Sequence, residues 1–200
     1  MRTAAERPRT KEKLLKAAQG LMQAKGFGAT TVDEICGAAG VTKGSFFHYF
    51  AGKEALGREL LERFCRQNAE RQESACCRER DPLERLYSII DCAIAMAKDP
   101  TLRNGCLLGT FAQELSDSHP KMRSLCAHEF QRWADYLKKD LDEAKAQYAP
   151  KSRIRTQDVA DYFIALLEGS LIVAKAKQDP GVVERTLKQF KIYLGQLFGR

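Results

Sequence analysis

Residues 30–54 read T-T-V-D-E-I-C-G-A-A-G-V-T-K-G-S-F-F-H-Y-F-A-G-K-E, and their spacing decides the fold. Thr31 and Glu34 stand three apart, as in a capping box, so a helix is expected to start there. Val32, Ile35, Ala38 and Ala39 then recur at helical spacing. Gly40 permits a sharp turn, and Thr42 can cap a second helix reaching Tyr49. Two short helices joined by a tight, glycine-containing turn form a helix-turn-helix. The second helix is expected to expose Lys43, Ser45, His48 and Tyr49 and to bury Phe46 and Phe50. A hydrogen-bonding face on an aromatic back suits a reader of the DNA major groove.

The charge agrees with that placement. The chain carries a net charge of +7, and residues 1–53 hold nine Lys/Arg against four Asp/Glu. Surplus lysine on a solvated face would explain charge alone; charge together with the motif points to phosphate neutralisation. Three helix N-termini fall within 30–53, and such ends attract anions. Thr30 and Thr31 place hydroxyls at the first, Thr42 and Lys43 at the second, and Lys53 a charge at the third. Gly44 leaves room for close approach to the sugar-phosphate ridge, while Ser45, His48 and Tyr49 are the candidates for base edges or neighbouring phosphates.

Working outward, nothing reads as a strand. The periodicity predicts an all-α chain of about nine helices. One runs over 9–25 to a stop at Gly26, with Phe27 packed behind it, and another over 53–76. Asp81-Pro82 starts a helix that ends near Asp99-Pro100, Asn104-Gly105 opens a short one through Leu115, and Ser118-His119-Pro120 starts a long one to Tyr148. Residues 149–156 read as a basic loop, followed by helices over 158–177 and, after Asp179-Pro180-Gly181, to Phe198. Between Tyr162 and Ala174 only Glu168, Gly169 and Ser170 interrupt an apolar run. Such a helix lies in a core or against a partner. Gly169 and Ser170 are small enough for another helix to approach, so 158–198 is read as half of a four-helix homodimer interface. A core within one monomer is the other reading.

Seven cysteines without a regular framework suit reduced thiols, and no Cys/His spacing suits a metal or calls for a cofactor. The start, M-R-T-A-A-E-R-P-R-T-K-E-K, has no apolar stretch of signal-peptide length, and no run suits a membrane span. A cytoplasmic protein without membrane partners is expected.

Val41-Thr42-Lys43-Gly44-Ser45-Phe46-Phe47-His48-Tyr49-Phe50, followed by Lys53-Glu54, resembles the signature of the TetR family of bacterial transcriptional regulators. The resemblance covers about the first 65 residues. It implies a DNA-binding domain over 1–52 and a helical effector-binding and dimerisation domain over 53–200. The helix-turn-helix predicts a dimer on a palindromic double-stranded operator, and the resemblance implies a repressor released by a small-molecule or thiol-reactive effector. Many members carry tyrosine where Phe47 stands, its hydroxyl on a phosphate; Phe47 cannot make that bond. Phe64, Phe111, Phe130, Trp133 and Phe163 are the candidate lining of the effector pocket, although aromatics at this spacing also suit plain core.

Gly105-Cys106-Leu107-Leu108-Gly109, with Ala174-Lys175 later, looks like the branch that includes electrophile- and oxidant-responsive repressors. Cys106 at a helix start is then a candidate sensor thiol, with Lys175, two turns from Glu168, as a cationic neighbour. A packed cysteine beside an interface lysine fits the same residues. Cys76-Cys77 ranks lower as a sensor, and Cys36 reads as core. No nucleophile–base pair marks an enzyme; Cys106 with His119 or His128 would be a spatial coincidence. A DNA-binding protein without effector control leaves some 140 helical residues unexplained.

Overall fold

The structure, a computed structural model, describes residues 6–76, 80–98 and 105–199. Among the described residues there are nine helices and no strand. They are α1 (Glu6–Lys25), α2 (Val32–Ala39), α3 (Lys43–Tyr49), α4 (Lys53–Cys76), α5 (Pro82–Lys98), α6 (Leu107–Leu115), α7 (Pro120–Tyr148), α8 (Thr156–Lys177) and α9 (Gly181–Leu197). None of them is long and apolar enough to cross a membrane.

Local chemistry sets the boundaries. Thr31 and Glu34 form a full capping box on α2, and Gly40 closes that helix in the left-handed region at φ 65°. Thr42 Oγ1 accepts the Ser45 N–H at 3.2 Å to start α3. Asp81 caps α5 by accepting the N–H groups of Leu83 and Glu84 at 2.9 and 3.1 Å. The helix expected from 158 begins two residues earlier, at Thr156, so the loop is shorter than the basic stretch suggested. Its start is held from outside: Thr156 Oγ1 donates to Asp142 Oδ1 on α7 at 2.5 Å. Asp99-Pro100, Asn104 and the Cys76-Cys77 pair lie outside the residues whose side chains are described.

Contacts divide the chain into two compact units, one of residues 1–66 with 107–126, the other of 67–106 with 127–200. The first turns of α4 and all of α6 therefore share a unit with the helix-turn-helix. Its core includes Leu14, Ala18 and Met22 of α1, Ile35 of α2, Phe46 of α3, and Leu56 and Leu60 of α4, all buried. Each large side chain so buried contributes about 1.5–3 kcal/mol. Glu12 with Arg63 and Lys11 with Glu59 fasten α1 to α4 at the surface. In the second unit, Ile89 and Ile90 of α5, Leu137 of α7, Phe163 of α8 and Leu187 and Phe190 of α9 meet in one cluster. Ser170 belongs to that interior: it is buried and its hydroxyl donates to the Leu167 carbonyl at 2.8 Å, so it faces inward rather than toward a partner.

Candidate nucleic-acid interface and effector site

The reading helix stands on an apolar footing. Phe46 is fully buried and Phe50 nearly so, their rings 5.6 Å apart. Lys43, Gly44, Phe47 and His48 are exposed on the other side, with Ser45 and Tyr49 half-buried and Thr42 exposed at the start. His48 and Tyr49 meet edge to face at 4.9 Å. Lys43 Nζ lies 2.8 Å from Asp33 of α2, and both groups are largely in solvent. That carboxylate raises the affinity of Lys43 for its proton. A pair so exposed is screened by solvent and binds Lys43 weakly. A Cβ built on Gly44 would touch only Thr42 Oγ1, at 3.8 Å, which is ordinary contact. Nothing among the described residues requires glycine there.

Three expected phosphate groups are used internally. Thr30 has no solvent exposure, and its hydroxyl donates to the Gly26 carbonyl at 2.7 Å, so it shapes the loop and does not face outward. Thr31 is exposed, but its hydroxyl and its N–H both go to Glu34 Oε2 at 2.9 Å. Lys25 and Thr31 together hold the Glu34 carboxyl down at about 2, so an anion already occupies the start of α2. Lys53 turns inward. Its ammonium donates to the carbonyls of Thr30, Phe27 and Gly28 at 2.8, 2.9 and 3.4 Å and lies 4.5 Å from the Phe27 ring centre. Lys53 thus fastens the loop before α2 to the start of α4. Its charge stands at a helix start, as expected, but is spent on carbonyls 23 to 26 residues away, which no local pattern marks.

The aromatic residues expected around an effector fall in both units. Phe111 is fully buried against Phe27, ring centres 5.5 Å apart, and Phe64 is buried in the same unit. Phe163 is central to the second unit's core, with Trp133 edge to face at 6.0 Å and Phe130 packed against the cluster. Trp133 Nε1 is buried and has no hydrogen-bond partner among the described residues, and the same holds for Glu168 Oε1.

Cys106 precedes α6 directly, after Gly105 at φ 94°. The expected cationic neighbour is not what its surroundings supply: Lys175 is exposed, whereas the Cys106 thiol hydrogen-bonds the carboxyl of Glu168. Burial pushes that carboxyl up to about 7, and the thiol's hydrogen bond opposes the rise only in part. The neighbour that the fold gives this thiol is thus an acid. In the sequence Glu168 interrupts an apolar run and marks the face that carries Lys175; that interruption is the signal for a buried acid.

A short helix that exposes Lys43, Phe47 and His48 over buried aromatics, in a unit whose sequence is basic, fits a DNA-binding protein of the helix-turn-helix class. Two family descriptions match: bacterial regulatory proteins of the tetR family over residues 14–60, and the tetracyclin repressor-like C-terminal domain over 82–190. The chain belongs to the TetR family of transcriptional regulators, which are not enzymes. It is 28% identical over 157 residues to the HTH-type transcriptional repressor DhaR of Mycobacterium sp. strain GP1, covering 78% of this chain and 77% of that one. A regulatory protein TetR from Rhodobacter sphaeroides superposes with a TM-score of 0.80 at 27% identity, over 90% of this chain and 96% of its own. The reduced form of E. coli NemR gives 0.77 at 25% identity, over 92% and 96%.

Proposed function

We propose that this regulator is a repressor that binds a palindromic operator as a homodimer and lets go when a small molecule occupies the 53–200 domain. The observation that carries the reading is the outer side of α3, where Lys43, Gly44, Ser45, His48 and Tyr49 are available over the buried Phe46. Thr42 and Lys43 meet phosphates at the helix start, Lys43 exchanging Asp33 for the backbone, and Gly44 admits the sugar-phosphate ridge. Ser45, His48 and Tyr49 approach base edges or adjoining phosphates. Thr31 and Lys53 act by holding α2 and its loop in place. One α3 of seven residues reads few base pairs, which favours two-fold pairing of heads on the DNA.

The pairing surface is the 158–198 segment. Tyr162, Ile172 and Val173 of α8 and Ile192 and Tyr193 of α9 are large apolar groups left in solvent by the chain's own fold. For the effector, Trp133 Nε1 and Glu168 Oε1 supply a donor and an acceptor that a polar molecule would satisfy among apolar walls. The electrophile-sensing alternative for Cys106 needs the proton to pass to Glu168 rather than a standing thiolate.

The test is fluorescence-anisotropy titration of the full chain against duplex DNA from beside its own gene, before and after a mild thiol-reactive electrophile. Salt-dependent binding at least a hundredfold tighter than to scrambled DNA is expected. Equal affinity for both would overturn the operator reading. Loss on treatment, restored by reductant and absent in Cys106→Ser, would select the thiol; indifference would leave non-covalent ligands.

A further inference from the structure

Six large apolar side chains stand in solvent among the described residues, and five of them lie on α8 and α9. The sixth, Phe47, is alone in the first unit and 57% exposed on α3. Its ring is not loose: it meets the edge of Phe46 at 5.2 Å with the planes at 81°, and Phe46 is fully buried. Phe47 follows Lys43 by one helical turn and so shares its side of the helix. A braced aromatic therefore stands among the groups that approach DNA, yet carries no donor or acceptor for a phosphate or a base edge. In the major groove the one apolar mark that differs between base pairs is the 5-methyl group of thymine. Deoxyribose is also apolar in part, but it is the same at every nucleotide and selects nothing.

We infer that Phe47 is a specificity-determining residue that packs its ring on the 5-methyl group of a thymine, so each operator half-site carries thymine at one fixed position. The inference rests on the DNA-binding reading above. The ring's placement on a fixed, buried partner makes the contact selective for position, and its lack of polar atoms makes it selective for the methyl group.

The experiment first selects bound sequences from random duplexes with the full-length protein. Each consensus thymine is then replaced singly by deoxyuridine, which removes only the methyl group, and affinity is measured for the parent, Phe47→Ala and Phe47→Tyr. One symmetry-related deoxyuridine pair should weaken the parent about three- to tenfold per half-site and leave Phe47→Ala unaffected. Phe47→Ala should lose a similar factor on the thymine operator while its melting temperature stays within a few degrees of the parent's, because the ring is exposed. Phe47→Tyr keeps the ring and should keep the sensitivity. Indifference of the parent to every replacement, or equal sensitivity in Phe47→Ala, overturns the inference while leaving DNA reading intact. Failure to select any consensus would overturn the operator reading and this inference together.

Discussion

Glu114 Oε2 accepts the backbone N–H of Gly28 at 2.9 Å, tying α6 to the loop that leads into α2. The carboxylate enters because Gly26 has no side chain: a Cβ there would lie 1.8 Å from Glu114 Oε1. Gly26 also sits at φ 90°, where L side chains are strained. Gly26→Ala should therefore cost about 1–3 kcal/mol in urea unfolding, and Glu114→Ala in the same background should recover part of it. Equal losses in both backgrounds would separate the glycine from the carboxylate.

Lys43 and Lys53 should fail in different ways. Lys43→Ala should weaken binding to all DNA and flatten the slope of log affinity against log salt by about one. Lys53→Met, which removes the donor to three carbonyls, should lower stability by about 1–3 kcal/mol and weaken the operator complex with the slope nearly unchanged. A slope reduced equally by both would return Lys53 to the phosphate backbone.

Gly44→Ala separates folding from reading. With ordinary contact to Thr42 Oγ1 at 3.8 Å for its Cβ, alanine should raise stability by about 0.5–1 kcal/mol, the usual helix preference. Operator affinity should fall tenfold or more if the DNA ridge passes there. Unchanged affinity on an anisotropy titration would place the ridge elsewhere.

Glu168 predicts a pH dependence with a definite sign. Its folded value of about 7 exceeds the ordinary 4.5, so between these the native state holds a proton that the unfolded chain has released. Stability is unpenalised below about 4.5, declines as pH rises and levels off above about 7, a loss of about 3 kcal/mol in all. Glu168→Gln should remove this component, so its advantage over the parent grows from pH 5 to pH 8 in paired denaturant titrations. A constant difference would mean that Glu168 ionises freely.

Ile172→Glu and Ile192→Glu each place a charge where the side chain is about half exposed in the single chain. Neither should disturb the monomer's fold, and each should weaken self-association tenfold or more in sedimentation velocity. A monomeric parent would remove the 158–198 interface.

What the sequence disclosed was local. The capping box at Thr31 and Glu34, the turn at Gly40 and the Asp81 cap depend on residues two to four apart, and the structure keeps each. What it concealed was distant or directional. Lys53 looked like a charge offered to DNA because its carbonyl partners carry no side-chain signature. Thr30 differs from Thr31 only in pointing inward, and one position along a loop has no periodicity to reveal that. Cys106 and Glu168 are 62 positions apart, so helix spacing within α8 suggested Lys175 while tertiary packing supplied the acid.

The Lys53 fastening has a consequence for how such a reader can diversify. Its ammonium grips backbone oxygens, which every amino acid possesses, and the side chain it also faces is the Phe27 ring, so the grip on Gly28 and Thr30 does not depend on their side chains. The peptide from Phe27 to Lys53 is in effect a noose drawn shut by one side chain, with the whole of α3 inside it. Letters on the outer rim of that noose can be exchanged for a different operator without loosening the knot.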